Sequence, residues 1–494
     1  MDMSASIESV PKELFAGGRW RLAEDGRTFP VEDPATGKTL CEVADASPAD
    51  AAEALDMAVA AQPQWAAVPA RERGEILRRA YQSVIADREG LAGLITLEMG
   101  KTLDQARAEV DYGAEYLRWF SEEAVRIGGD YAFAPGGESR MVQMRGPVGP
   151  CLLITPWNFP LAMGTRKIGP AIAAGCTMLV KPADLTPLTM LALAWHLRRA
   201  GLPDGVLSVL PTTRAAEVTG PLIADGRLRK LSFTGSTGVG RLLLKQCADH
   251  VLRTSMELGG NAPFVVFADA CAGEAGLDRA VSGAMQAKLH NAGQACTGAN
   301  RFIVQDEVAE RFAARLAERM AALTVGPGVE PESEVGPLIN ARARDAMTGL
   351  VDDAGGHGAK VLTGGAPVDR PGHFFEPTVL IDVPREARIW REETFGPIAP
   401  VTTFHSEDEA VALANDTEYG LAAYVYTHDL ARALRVCERV ESGMVALNRG
   451  AVSNPAAPFG GVKESGLGRE GGGAGIEEYL ETKYVAVADP FTQP

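Results

Sequence analysis

The 494-residue chain is an α/β protein with two successive parallel-sheet units. Three observations predict this. Short β-rich runs alternate with helical segments from about residue 147. The same alternation restarts after residue 257. The strands are spaced by helices rather than by tight hairpin turns, and parallel strands need such crossovers.

The elements follow in order. Residues 50–126 are rich in Ala, Glu and Arg, with Ile76, Leu77, Ala80 and Val84 at helical spacing, so several helices are expected. Residues 128–146 hold alternating runs around a PGG turn (135–137) and predict a protruding hairpin. VGPCLLIT (148–155), CTMLVKP (176–182), GVLSVL (205–210) and RKLSFTG (229–235) are predicted strands, with helices over 161–174 and 186–200. In the second unit NAPFVVF (261–267), RFIVQ (301–305), GLAAYVYT (420–427) and SGMVALN (442–448) are strands, and 307–323 is an amphipathic helix. The GGG at 471–473 marks a turn or helix approach. The tail EEYLETKYVAVAD (477–489) ends in a strand that must pair with something, often another subunit.

Composition excludes several classes. A hydrophobic content of 46% with 23% charged residues is that of a soluble globular protein. No apolar run approaches a membrane span, and the N-terminus lacks a signal sequence, so a cytoplasmic protein is expected. A net charge of −16 disfavours nucleic acid as a partner. Seven cysteines without a CxxC pair argue against a disulfide framework, and the histidines show no metal-ligand spacing, so no metal is expected.

The most informative segment is HNAGQACTGANRF (290–302). Free cysteine usually packs as a small hydrophobe. Cys296 differs because Gly293, Ala295 and Gly298 leave room for another molecule. A thiolate attacks carbonyl carbon, and a carboxylate such as Glu257, in ELGGNAPFVVF, can take a proton from the thiol or from a hydrolytic water. Asn158, in the loop TPWNFP (155–160), can donate to a developing oxyanion, or the loop is simply a turn with a packed Trp. TGSTGVG (234–240) lies between a strand and a helix, where N–H groups attract phosphate; it also suits a tight turn with a Ser cap. KPAD (181–184) closes another strand, where Lys181 and Asp184 can bracket ribose hydroxyls or serve as a surface Lys and a helix cap.

TPWNFP, KPAD, FTGSTGVG, ELGGNAP, NAGQAC, EETFGP (392–397) and PFGGVKESGLGRE (458–470), in this order, resemble the aldehyde dehydrogenase superfamily. The resemblance implies a Rossmann-like NAD(P)-binding domain (1–127 and 147–256), an α/β catalytic domain (257–450) and a small β oligomerisation hairpin formed with the C-terminus (128–146 and 471–494). It implies that Cys296 is the nucleophile, that Asn158 and the Cys296 N–H form the oxyanion hole, and that Glu257 activates the hydrolytic water. The cofactor, NAD or NADP, would lie along Thr155, Pro156 and Trp157. Lys181 and Asp184 would contact the adenosine ribose. Gly235 and Ser236 would hold the pyrophosphate, with Leu258 nearby. Glu393 would hold the nicotinamide ribose, with Phe395 close to the ring. A homodimer or homotetramer is implied.

Within the superfamily the chain is most similar to succinate-semialdehyde dehydrogenases, over MGTRKIGPAIAAGCTMLVKPA (163–183), SNPAAPFGGVKESGLGREG (453–471) and GIEEYLETKY (475–484). That subgroup grips a distal carboxylate with two arginines and a serine. Arg166 and Ser453 match two of these, but His290 stands where the second arginine is expected. Glutarate semialdehyde or another acidic or hydroxylated aldehyde is the alternative substrate. A CoA-acylating enzyme or a non-catalytic relative is disfavoured by Glu257, Cys296 and Asn158. Asp184 is shorter than the Glu of many NAD-using relatives, and Arg214, in LPTTRA (210–215), is a candidate for neutralising a 2′-phosphate, so both dinucleotides stay open. Gly298 occupies the place of a second cysteine found in some relatives, so no Cys–Cys switch is expected there.

Overall fold

A computed structural model describes residues 7–489 and 491; positions 1–6, 490 and 492–494, the extreme ends of the expected domains, lie outside the described residues. Four helices, Pro48–Ala67, Ala70–Ala86, Arg88–Met99 and Leu103–Glu123, fill the Ala-rich region. The first starts at Ser47, whose hydroxyl accepts from the Asp50 N–H while the Asp50 carboxylate accepts from the Ser47 N–H, a capping box. Ala70–Ala86 and Leu103–Glu123 pack against Ala162–Ala174, all thirteen residues of which are buried. Small and apolar residues make up most of this helix, and its two buried cations, Arg166 and Lys167, are ion-paired with Glu470.

Two sheets carry the chemistry. In the first, five parallel strands lie in the order Arg253–Glu257, Lys230–Thr234, Cys151–Ile154, Met178–Lys181 and Leu207–Val209. The chain runs outward from Cys151–Ile154 through the next two strands, then returns to its other side. The strand order therefore reverses between Cys151–Ile154 and Lys230–Thr234, and ligands bind in such sheets at the carboxyl ends beside that reversal. Gly466–Leu467 adds an antiparallel edge from late in the chain, and Leu14–Ala16 with Arg19–Arg21 extends the opposite edge. The second sheet is also mainly parallel, in the order Lys360–Thr363, Thr378–Ile381, Ile398–Phe404, Ala299–Gln305, Ala262–Val266, Ala422–Tyr426 and Met444–Leu447. Its centre is aromatic: the Phe264 ring lies 4.9 Å from Tyr426 and 5.3 Å from Phe302. Burying each such ring contributes about 1.5–3 kcal/mol.

The hairpin is Asp130–Phe133 paired antiparallel with Ser139–Pro147. The tail strand, Leu480–Ala488, pairs with Ser139–Pro147 of the same chain over nine residues, so its hydrogen bonds are met within the chain on that side. Among the described residues no helix is long and apolar enough to cross a membrane.

Candidate active site

The parallel strands of the first sheet deliver the candidate residues at their carboxyl ends. Cys151–Ile154 leads into Thr155, Pro156, Trp157 and Asn158; Met178–Lys181 ends on Lys181; Lys230–Thr234 runs into Gly235 and Ser236; Arg253–Glu257 ends on Glu257. Leu258 to Asn261 then cross directly to the second sheet. Gly260 is required there, because a Cβ would come within 2.4 Å of the Cys296 carbonyl oxygen. Glu257 and Cys296, 39 residues apart in sequence, thus come near enough where the two sheets adjoin for the Glu257 charge to act on the thiol.

The residues beside the reversal fit a dinucleotide. Ser236 stands at the head of helix Thr237–Ala248 but makes no capping bond to it, so its exposed hydroxyl and the first N–H groups of the helix are free for an anion. The Thr234 hydroxyl is buried without a partner. Asp184 does not cap the next helix, Leu188–Arg199; the Glu98 carboxylate accepts from the Leu188 and Thr189 N–H groups instead, at 2.8 Å each. Asp184 thereby stays beside Lys181, whose ammonium burial pulls down against the opposing charges of Asp184 and Asp45. On the far side, Trp157 and Phe395 meet edge to face at 5.5 Å. The Glu393 carboxylate, half-buried, accepts the Gly260 N–H at 3.0 Å, and burial pushes it up to about 7 against that bond and the Lys288 charge. Arg214, the candidate for a 2′-phosphate, already has partners in the protein. It is paired with Asp25 at 2.7 Å and donates to the carbonyls of Asp45 and Ala46.

Cys296 follows a left-handed segment: Asn291, Ala292 and Gly293 have φ of 56°, 53° and 79°. For the two non-glycine residues this costs about 1–3 kcal/mol each. Side chains hold it. The Asn291 amide donates to the Asn158 carbonyl at 2.9 Å, the Gln294 amide donates to the Asn291 carbonyl at 3.2 Å, and the Asn291 N–H donates to Gln105 at 2.9 Å. Gly293 presses on the Phe395 loop, where a Cβ would sit 2.1 Å from the Gly396 oxygen.

The same bonds orient Asn158. Its carbonyl accepts from Asn291 and from Lys101 at 2.8 Å, and its side-chain amide donates to the Gln294 carbonyl at 3.0 Å. Lys101 is ion-paired with Glu109, both side chains being fully buried, and Glu109 also accepts the Leu161 and Ala162 N–H groups at the start of the buried helix. Sequence inspection missed this pair because its effect passes through bonds 50 and more residues away. Glu109→Ala, which leaves the ammonium without its counter-charge, is expected to destabilise the fold by about 3–5 kcal/mol, measured by unfolding against wild type. A loss below 1 kcal/mol would show that the pair is not structural.

A cavity of about 540 Å³ opens onto Cys296. Arg166, His290, Ser453, Tyr112 and Gln105 also line it, together with Phe459 and Met285. Arg166 is not a helix-surface residue: it is 1% exposed, its Nε bonds Glu470 at 2.6 Å, and its guanidinium lies 3.9 Å from the Phe459 ring centre. Its Nη2 is buried without a partner. Tyr112 bonds both Tyr116 and Ser453 through hydroxyls. His290 keeps surface open to the lumen, but protein surrounds its ring; burial and the nearby Lys101 charge push the imidazole down to about 4.

The candidate nucleophile and base are electrically unusual. Burial pushes the Cys296 thiol up to about 12, with the Arg166 charge opposing. Burial, reinforced by Glu470, raises the Glu257 carboxyl well above its ordinary range, against Arg166 and Lys167. One Glu257 oxygen has no partner. Burial would raise Glu470 too, but the charges of Lys167 and Arg166 outweigh it and hold that carboxyl at about 2. Burial thus drives Glu257 toward its acid form, while the charges of Lys167 and Arg166 keep its neighbour Glu470 ionised. Such a separation suits acid–base chemistry.

The aldehyde dehydrogenase family model matches residues 20–485. The chain belongs to the aldehyde dehydrogenase family. It is 58% identical over 452 residues to the succinate-semialdehyde dehydrogenase of Paenarthrobacter nicotinovorans, covering 92% of this chain and 99% of that one. It is 48% identical to the glutarate-semialdehyde dehydrogenase of Pseudomonas putida, covering 97% and 98%. The crystal structure of an NADP-dependent enzyme of E. coli superposes with a TM-score of 0.95 at 46% identity, over 97% of this chain and 98% of that one. The aldehyde dehydrogenase described here is therefore an oxidoreductase that uses NAD or NADP, and its fold is that of the family.

Proposed function

We propose that this aldehyde dehydrogenase oxidises succinate semialdehyde to succinate. One observation carries the substrate: the Arg166 Nη2, buried and unpartnered on the wall of the cavity that holds Cys296, beside the hydroxyls of Tyr112 and Ser453. A guanidinium N–H in a site poor in water is a strong partner for a carboxylate. The succinate-semialdehyde and glutarate-semialdehyde enzymes among its relatives act on aldehydes of this type.

In this reading Cys296 attacks the aldehyde carbon and forms a thiohemiacetal. The Arg166 charge favours the thiolate, and the negative oxygen is met by the Asn158 amide and the Cys296 N–H. Bound NAD or NADP supplies the hydride acceptor. Cys296 then carries a thioester. Glu257, once deprotonated, takes a proton from water, which displaces Cys296 and releases the acid. Trp157, Phe395 and Glu393 orient the reacting half of the cofactor; Lys181, Asp184 and Ser236 hold the other half.

The five-carbon glutarate semialdehyde is the second reading. Burial and the Lys101 charge push the His290 imidazole down to about 4, so it lacks the permanent charge an arginine would bring. The 540 Å³ cavity also leaves room for another methylene. Measuring kcat/KM for both semialdehydes and for a neutral aldehyde, each with NAD and NADP, tests the proposal. Both acids are expected to exceed the neutral aldehyde, and His290→Arg is expected to raise kcat/KM for the four-carbon acid about tenfold or more. Equal rates on acidic and neutral aldehydes would overturn the acid-reading role of Arg166.

We also infer a cytoplasmic homo-oligomer. Tyr131, Phe133, Val142, Met144, Val485 and Val487 share one face of the three-stranded sheet, and Tyr131 and Phe133 are each more than 60% exposed. An apolar sheet face of this kind is covered by association. A monomer mass by light scattering would contradict this.

A further inference from the structure

Lys288 is a buried cation that the proposed chemistry does not use. It sits in the last turn of helix Gly273–Leu289 with no exposed surface. Its ammonium donates to Asn300 Oδ1 at 2.9 Å and to the Thr394 carbonyl at 3.2 Å. The Asn300 amide donates to the Gly260 carbonyl at 3.3 Å, and the Gly260 N–H donates to Glu393 Oε1 at 3.0 Å. Since Thr394 follows Glu393 in the chain, these contacts close a ring around Glu393. The ring ties four segments together: the helix that leads into the Cys296 loop, the strand Ala299–Gln305 that carries Asn300, the crossing between the two sheets, and the loop bearing Glu393 and Phe395.

Burying an ammonium is costly, and an apolar side chain of the same length would fill the space without that cost. The counter-charge that acts on Lys288 is Glu393. We propose that Lys288 is a positioning residue for Glu393, fixing the loop and keeping its carboxylate available to the hydroxyls of the nicotinamide ribose. This rests on the reading that Glu393 holds that ribose. Burial brings the lysine down to about 7 and the carboxyl up to about 7, and the charge of each opposes the shift of the other.

The test compares binding of the whole dinucleotide with binding of its adenosine half. Whichever of NAD and NADP binds wild type more tightly is titrated by calorimetry, alongside AMP or 2′,5′-ADP to match. Lys288→Met is expected to raise the dinucleotide Kd and KM about tenfold, with the adenosine-half Kd and the aldehyde KM within twofold of wild type. Added to Glu393→Gln, it should change the dinucleotide Kd by less than twofold, because its route through Glu393 is already gone. Equal weakening of dinucleotide and adenosine half, or full additivity with Glu393→Gln, would overturn the proposal and leave Lys288 a packing residue. A Glu393→Gln enzyme that binds dinucleotide like wild type would instead overturn the ribose reading itself. If the methionine variant does not bind the adenosine half at all, Lys288→Gln, smaller and still a hydrogen-bond donor, carries the same comparison with the same outcomes.

Discussion

Cys296→Ala is expected to abolish aldehyde oxidation, lowering kcat by roughly 10⁴–10⁶-fold, while dinucleotide affinity stays within about twofold. Among the described residues Cys296 is the one cysteine on the cavity wall; Cys151, Cys176, Cys247 and Cys271 are buried elsewhere, and Cys41 and Cys437 do not line the cavity. The groups assigned to the dinucleotide lie on the first sheet and the 392–397 loop, so removing one sulfur leaves them in place. The thiol has a second signature. Because burial holds it near 12, little thiolate exists at neutral pH, and its fraction grows as the pH rises toward that value. Alkylation of Cys296 by iodoacetamide, mapped by mass spectrometry, is therefore expected to speed up about tenfold per pH unit between pH 7 and 9 in the enzyme without cofactor. Fast, pH-independent labelling would show a thiolate already formed. Turnover surviving in Cys296→Ala would remove the covalent mechanism.

Two strands that deliver the site were legible because each ends on a residue that breaks the apolar pattern, Thr155 after CLLI and Lys181 after MLV; the strand that ends on Glu257, RTSME, has no apolar run and was not among those predicted. The glycines flanking Cys296 were legible for a related reason, since the chain passes so close to its neighbours that a Cβ at Gly260 or Gly293 would collide. What stayed hidden depends on contacts made across the chain. Glu470 ends the segment PFGGVKESGLGRE, which stood out in the sequence, but nothing local says that it meets Arg166 and Lys167 some 300 residues earlier. The pairing of Arg214 with Asp25 stayed hidden because the two are 189 residues apart. The tail strand looked like one awaiting another subunit, because pairing with Ser139–Pro147 is not written in either segment alone. The downward shift of His290 follows from burial and from Lys101, which no single-residue reading contains.

Glu257→Gln separates the two halves of the proposed reaction. The thioester can form in this variant but cannot be hydrolysed with base assistance, so mixing with saturating aldehyde and cofactor should give a burst of about one reduced dinucleotide per subunit. Steady turnover should then be slower than wild type by roughly 10²–10⁴-fold. The pH dependence follows from the direction of the shift. Burial and Glu470 raise the Glu257 carboxyl, so its base form appears at higher pH than in an ordinary glutamate and grows as pH increases. Wild-type turnover should rise from neutral to alkaline pH where hydrolysis limits it, and the slow phase of Glu257→Gln should lose that rise. Stability should move the other way. A carboxyl whose folded value is raised costs stability above its ordinary value, because the unfolded chain releases a proton that the folded chain keeps. That cost grows with pH through the window between the two values and is absent for glutamine. Glu257→Gln is therefore expected to unfold at a higher temperature than wild type at pH 7–8, with the difference shrinking toward pH 4. A variant both inactive and less stable would mean that Glu257 supports the fold; one that is inactive yet more stable would mark a base kept in place against the interest of folding, where activity rather than stability accounts for its presence.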